Sequence, residues 1–437
     1  MKYIKGGNIL KKVKIALLGL GNVGSGVWKI LSTNQKEIRK RSGYEIEVSK
    51  ILVRDISKKR PIDIPEGILT TDINEIVNDT TIEIVVELMG GNEPAMEYML
   101  SAMHHKKHVV TANKLLLATK GVELMQVAED EGIMLYYEAS VGGGIPVIHG
   151  INESLTANRI ESVVGILNGT TNYILTKMSL EGMSFEDALK EAQEKGYAEA
   201  DPTSDVEGLD AVYKLAILAS LAFGTKIDVN SIYREGISNL KSEDIEFAKE
   251  FGYTIKLIGI ATEKDDVLQM RVHPAMIPNK HPLANVNDSY NAIFIRGNAI
   301  GDLMFIGRGA GELPTGSAVV GDIISILRSN VDLSSTTETR EIIRSKTTSS
   351  MDETVCEYYI RLWVNDRPGC LGEITTEFGK HNVSIASVRQ KGERGSYVPL
   401  VFITHATAEG DLHKALEEIK KLQGISKIDN IIRLENF

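Results

Sequence analysis

The chain has 437 residues, 43% of them hydrophobic, enough for roughly three domains of about 150 residues and a sizeable buried core. Its formal charge of −10 argues against nucleic acid as a partner, since phosphate-backbone binding needs clustered excess Lys and Arg, and its two cysteines, Cys356 and Cys370, suit a reducing cytoplasm rather than a disulfide framework or zinc site. The opening MKYIKGGNILKK is too polar for a secretory leader and no run approaches the ~18 apolar residues of a membrane span, so a soluble cytoplasmic protein without membrane contact is expected.

From Val13 to about Ile145 short aliphatic runs alternate with helical patterns, which predicts parallel βαβ units in an open, doubly wound sheet. The expected strands are VKIALLG, EVSKILVR, IEIVVEL, HVVTAN and MLYYEA. Each is almost continuously apolar, as a strand covered by helices on both faces must be. After the first strand stands GLGNVG, the GxGxxG fingerprint of a Rossmann-type domain, placed between a strand and a helix as it requires. Gly19 permits the tight turn, Gly21 lets backbone approach a pyrophosphate, and Gly24 brings the helix close to the strand. We therefore assign Gly19, Leu20, Gly21, Asn22, Val23 and Gly24 to a dinucleotide cofactor. After the second strand Arg54, with Lys58 and Lys59, suits the 2′-phosphate of NADP, while Asp55 leaves NAD open. A solvated loop is the alternative reading of those lysines. Further along, ELMGG (Glu87 to Gly91) and Thr111, Asn113 and Lys114 are expected to point into the crevice at the carboxyl ends of the strands, with a surface lysine as the alternative for Lys114.

Beyond Ile145 helices over 170–178, 184–195 and 206–223 mix with strands over 160–167, 256–262 and 267–272, which predicts a second, α+β domain. Its most informative stretch is KGYAEADPTSDVEGLDAVYKLAILASLAFG. Pro202 fixes a turn, Thr203, Ser204 or Asp205 can cap a helix, and Asp210 and Lys214 then share one face at i and i+4. That face continues into Ile217, Leu218 and Leu221, and a charge at the edge of a dry interior is paired or functional. A lysine tuned by its surroundings can protonate the alkoxide that forms when hydride reaches an aldehyde. Glu199 and Asp210 could hold a substrate ammonium. The bland alternative is a surface Asp/Lys pair. The nine histidines, none adjoining this cluster in sequence, read as structural. Residues 332–355 are Ser/Thr-rich and read as a linker, and from about Glu357 the order strand, DRPG turn, helix, strand, strand, helix, strand is the ferredoxin-like βαββαβ arrangement.

The segments GLGNVG, ELMGG, VVTANK, YEASVGGGIP, LNGTTNYIL, GYAEADPTSDVEGLDAVYK and GRGAGELPTGSAVVGD together resemble homoserine dehydrogenase, over nearly the whole chain. The resemblance implies a Rossmann-type domain over 1–145, to which 308–330 returns, a substrate-binding and dimerisation domain over 146–331, and a regulatory domain over 356–437. It implies NAD(P)-dependent interconversion of L-aspartate 4-semialdehyde and L-homoserine, a step toward threonine, methionine and isoleucine. Lys214 looks like the proton donor with Lys114 assisting, Glu199 and Asp210 like the substrate holders, and Gly196, Gly311 and Thr315 like neighbours of the cofactor. A monovalent cation, Na+, would sit on Glu138 and the backbone carbonyls of Val141, Gly143 and Ile145. The tail LWVNDRPGCLGEITTEFGKHNVSIASV resembles an ACT domain. Asn365, Asp366, Gly369, Leu371 and Asn382 are then its candidate effector residues, threonine the expected effector, and a homodimer or homotetramer the expected assembly. Truncation after about Asp352 is expected to leave activity and abolish inhibition. Two alternatives stand beside this reading, a related dehydrogenase of another amino acid or semialdehyde and a non-catalytic sensor of NAD(P) and amino acid.

Overall fold

The structure is a computed structural model that describes residues 11–329, 346–391 and 397–437. The chain divides into two compact units, one of residues 1–157, 216–229 and 305–344, the other of 158–215, 230–304 and 345–437. Residues 332–345 of the expected linker lie outside the described residues.

The first unit begins with β1 (Lys11–Leu18), α1 (Asn22–Thr33), α2 (Gln35–Ser42), β2 (Tyr44–Leu52), β3 (Leu69–Thr70), α3 (Asn74–Val77), β4 (Ile82–Glu87), α4 (Ala95–His104), β5 (His108–Thr111), α5 (Lys114–Asp130) and β6 (Leu135–Tyr136). All its strand pairs are parallel, in the order β3-β2-β1-β4-β5-β6. The direction of winding reverses between β1 and β4, so their carboxyl ends open the crevice where such sheets take ligands. Side chains of β1 alternate between two cores: Val13, Ile15 and Leu17 join one, Ala16 and Leu18 the other. This two-residue period, with both faces covered, is why the strand reads as one apolar run. The fifth expected strand, MLYYEA, shrinks to the two residues of β6, and β3, also two residues long, carried no apolar run by which to expect it.

Next come α6 (Val147–His149), β7 (Ile160–Ile166), α7 (Gly169–Glu181), α8 (Phe185–Glu194), α9 (Thr203–Val206), α10 (Leu209–Phe223), β8 (Tyr233–Arg234), α11 (Ser242–Glu250), β9 (Tyr253–Lys264), β10 (Val267–Pro278), β11 (Tyr290–Gly297), β12 (Gly301–Arg308) and α12 (Glu312–Ser329). β9 and β10 pair antiparallel along their whole lengths, and Asp265 and Asp266 turn the hairpin at positive φ of 53° and 62°. The helix expected from Val206 to Phe223 is broken. Gly208, at φ 78°, separates α9 from α10, and Asp205 bonds to Asn168 instead of capping the longer helix.

The C-terminal stretch follows the expected order: after β13 (Thr347–Thr348) come β14 (Val355–Asn365), α13 (Cys370–Lys380), β15 (Ile385–Gln390), β16 (Tyr397–Thr404), the short β17 (Thr407–Ala408), α14 (Glu409–Ile419) and β18 (Ile425–Leu434). It has its own core, in which Tyr358, Ile360, Leu362 and Val364 of β14 meet Phe378, Phe402 and Leu412. Its sheet nevertheless continues that of the preceding strands. β18 pairs β10 in parallel at Ala275↔Arg433 and Met276↔Leu434, and twelve strands share one sheet whose main path is β12-β11-β7-β9-β10-β18-β14-β16-β15. Buried ion pairs reinforce the seam. Arg361 of β14 meets Asp244 of α11 at 2.8 and 3.0 Å, Tyr359 and Asn430 donate to the same carboxylate, and Arg271 of β10 meets Glu435 at 2.7 Å. Among the described residues no helix is long and apolar enough to cross a membrane.

Candidate active site

The nucleotide turn is built by steric exclusion. Gly19 adopts φ 105°, and a Cβ there would stand 2.9 Å from the carbonyl oxygen of Leu88, at the end of β4. A Cβ on Gly24 would meet the Gly19 carbonyl oxygen at 2.5 Å, so α1 starts closer to β1 than any other residue type permits. Among the described residues nothing lies within 4 Å of the space a Gly21 side chain would fill, and no side chain caps the start of α1. An open cradle above uncapped helix N–H groups fits a dinucleotide pyrophosphate. Leu20, Asn22 and Val23 complete this exposed or half-buried turn.

Thr111 and Asn113 do not point freely into the crevice. Both are buried and tie the turns after β4 and β5 together. The Thr111 hydroxyl donates to Glu87 Oε2 at 2.6 Å, Glu87 Oε1 accepts from the N–H groups of Met89 and Gly90, and Asn113 donates to the Gly91 carbonyl at 2.8 Å. Asn113 also caps α5, leaving Lys114 half-buried on its first turn. Past β2, Arg54, Lys58 and Lys59 are exposed. Asp55 is occupied by the backbone and hydroxyl of Ser57, which hold its carboxyl below the usual range, and Arg60 folds back onto the carbonyls of Asp55 and Lys58.

In the second unit Asp210 and Lys214 are buried on α10, with Lys214 Nζ 2.7 Å from Asp210 Oδ2 and donating at 2.8 Å to the carbonyl of Leu167. Asn168 brings a further carboxylate: its Nδ2 donates to Asp210 Oδ2 at 2.8 Å and to Asp205 Oδ1 at 2.7 Å. Asn291 of β11 donates to the same Leu167 carbonyl at 2.8 Å, and its own buried side-chain oxygen has no hydrogen-bond partner among the described residues. The cluster thus presents one ammonium and two carboxylates on a buried amide frame, suited to moving a proton beside a charged, polar substrate. Glu199 stands exposed on the turn after α8, where Gln193 holds its carbonyl, and Gly196 ends α8 at φ 74°.

The loop proposed for a cation is buried at Glu138, Val141, Gly143 and Ile145. Glu138 accepts the N–H groups of Ile148 and His149 at 2.9 and 2.7 Å, and Asp322 of α12 accepts the N–H of Glu138. His149 bridges Asp322 and Glu153 at 2.9 Å each; the Asp322 hydrogen bond outweighs burial and raises the imidazole to about 9. Burial pushes Glu138 and Asp322 up, so the imidazolium offsets a costly pair of carboxylates. Gly311, at φ 122°, precedes α12, and Thr315 is buried one turn later. In the C-terminal fold Asn365 and Asp366 end β14, Gly369 opens α13 at φ 93°, Leu371 is 43% exposed, and Asn382 sits at φ 60° after that helix.

The homoserine dehydrogenase family matches residues 146–324, its NAD binding domain residues 19–138, and the ACT domain residues 358–424. The homoserine dehydrogenase of a Synechocystis species is 45% identical over 432 residues, covering 97% of this chain and 99% of its own length. That of Bacillus subtilis is 40% identical over 429 residues, covering 98% and 99%. Among solved structures, a homoserine dehydrogenase from Thiobacillus denitrificans has a TM-score of 0.91 at 41% identity, covering 98% of this chain and 99% of its own. The chain belongs to the homoserine dehydrogenase family. It is an NAD(P)-dependent oxidoreductase with a Rossmann-type domain, a catalytic domain and an ACT domain.

Within this family fold, the structure joins Lys214 to Asp210 and leaves Glu199 at the surface. Sequence reasoning passed over Asn168, His149 and Asp322, and took Asp205 only as a possible helix cap. A signal existed for Asn168, since an Asn directly after an apolar strand and before a helix is an N-cap candidate. None existed for Asp322, whose partner His149 lies 173 residues away.

Proposed function

We propose that the chain interconverts L-aspartate 4-semialdehyde and L-homoserine with NAD(P)H, and that Lys214 is the acid and base of the step. The observation that carries the reading is the buried ammonium of Lys214 held by Asp210 inside the matched catalytic domain. Gly19 to Gly24, with Gly196, Gly311 and Thr315 as further candidates, would hold the nicotinamide cofactor, which when bound would supply or accept the hydride. In reduction Lys214 gives a proton to the developing alkoxide, and in oxidation it takes the hydroxyl proton, with Lys114 assisting. Asp210 keeps the amine in place, and Asp210 with Glu199 receives the substrate ammonium. Arg54 and Lys58, exposed past the end of β2, favour the 2′-phosphate of NADP.

Glu138 and the carbonyls of Val141, Gly143 and Ile145 would supply an all-oxygen donor set for Na+, whose charge would relieve the carboxylate pair beside His149. The ACT domain binds threonine at Asn365, Asp366, Gly369, Leu371 and Asn382 and lowers activity, in a cytoplasmic homodimer or homotetramer. The deciding assay follows absorbance at the nicotinamide band with homoserine, each oxidised cofactor in turn, and added threonine. Turnover with homoserine is expected, faster with NADP. Lys214→Ala should lose about 10²-fold or more in turnover while the cofactor still binds. A Lys214→Ala enzyme with ordinary turnover removes the lysine from its role, and a wild type indifferent to homoserine removes the reaction.

A further inference from the structure

One amide serves three partners at the start of α7. Asn168, 4% exposed, accepts the Thr171 N–H at its Oδ1 (2.8 Å), while its Nδ2 donates to Asp205 and to Asp210. The partners themselves settle which atom is nitrogen: a backbone N–H must meet oxygen, and carboxylates must meet a donor. Capping alone does not call for this residue, because Ser, Thr or Asp would cap as well. Only an amide also offers two N–H groups to two carboxylates. Asp210 Oδ2 receives Asn168 Nδ2 and Lys214 Nζ on one atom, so the amide fixes the carboxylate that fixes the amine.

We propose that Asn168 is a positioning residue for proton transfer. It holds Asp205 and Asp210 as a pair, offsets their mutual repulsion, and through Asp210 sets the direction of the Lys214 ammonium. Without the amide, like charges drive one carboxylate toward protonation and Asp210 loses its hold on the amine. The inference rests on Lys214 being the acid and base of the reaction.

Asn168→Ser and Asn168→Asp both keep a capping oxygen and remove the amide donor. Both should lower kcat/KM for homoserine by about 10²-fold, the scale of a misplaced catalytic group, with NADPH binding (fluorescence titration) at wild-type values and a cooperative melt kept well above the assay temperature. Asn168→Asp places a third carboxylate in the cluster and should move the acidic limb of the pH profile upward more than Asn168→Ser does. Wild-type kinetics in the Ser variant would reduce Asn168 to a helix cap. A drop in thermal midpoint that accounts for the lost activity would do the same. The two readings fail differently. If the wild type ignores homoserine, the reaction is wrong; if Lys214→Ala is inactive and Asn168→Ser is not, only the positioning role is wrong.

Discussion

The parallel sheet of the first unit and the long sheet of the second use buried polar groups for different ends. Beside the parallel sheet most such bonds are short-range in sequence. Glu87 reaches Met89, Gly90 and Thr111, and Asn113 reaches Leu116 and Gly91, so the bonds shape turns around an open crevice. In the second unit they span the chain. Arg361 and Asp244 are 117 residues apart, Arg271 and Glu435 164, and Arg433 and Glu235 198. These bonds join the ACT strands to strands and a helix of the catalytic domain. A turn can be reshaped without loss of the sheet behind it, whereas a seam of buried charge cannot be opened without leaving ions unpaired in the interior.

The hardest test of this contrast is removal of the ACT domain. A chain ending at Asp352 leaves β10 without β18 and strips Asp244 of Tyr359, Arg361 and Asn430. We expect it to fail to form a soluble, cooperatively melting protein, in place of the active but uninhibited enzyme that the resemblance to a threonine-sensing ACT domain suggested. A truncated chain that melts at the wild-type temperature, followed by circular dichroism, would break the contrast. Arg361→Ala asks the same question with one side chain. It abandons a fully buried carboxylate and should cost about 3–5 kcal/mol in denaturant unfolding. A loss below about 1 kcal/mol, the range of an exposed pair, would mean that the seam is wet.

On the other side of the comparison, Gly24→Ala drives a methyl group to 2.5 Å from the Gly19 carbonyl oxygen. Overpacking of this kind costs about 1–3 kcal/mol. Because it falls on a turn, it should appear chiefly as cofactor binding weakened about tenfold or more, with the melting of the second unit unchanged. Unaltered cofactor affinity would separate this turn from the pyrophosphate.

Legibility followed the same division. GLGNVG and the five parallel strands could be read because each is a local pattern: a buried run, a glycine turn, a helix start. The Asp210–Lys214 pair was readable because i and i+4 share a helix face. The break at Gly208 was not foreseen, since the apolar period runs on through it and only its positive φ marks the end of α9. Nor was Asn168 as the partner of Asp205 and Asp210, 37 and 42 residues away, because no periodicity links a strand end to a later turn. The βαββαβ order of the tail was legible strand by strand. Its fusion through β18 to β10 was not, because an edge strand reads alike whether it meets water or another sheet.

A further predicted effect lies at that fusion and depends on pH. Burial alone would raise the Glu435 carboxyl, but the neighbouring His273 ring, 3.5 Å away, and the Arg271 guanidinium outweigh it and bring the group down to about 2. A carboxylate held below its unfolded value of 4.5 stabilises the fold above that pH, and the contribution fades as pH falls through about 2. Glu435→Gln should therefore melt below the wild type by a constant interval at pH 5 and above, and the interval should narrow as the pH approaches about 2, where both side chains are uncharged. Other carboxylates titrate in both proteins and cancel in the difference. A constant interval through the whole acid range would mean that the Arg271–Glu435 pair forms without coupling to folding, and the seam would then owe its strength to Asp244 and Arg361.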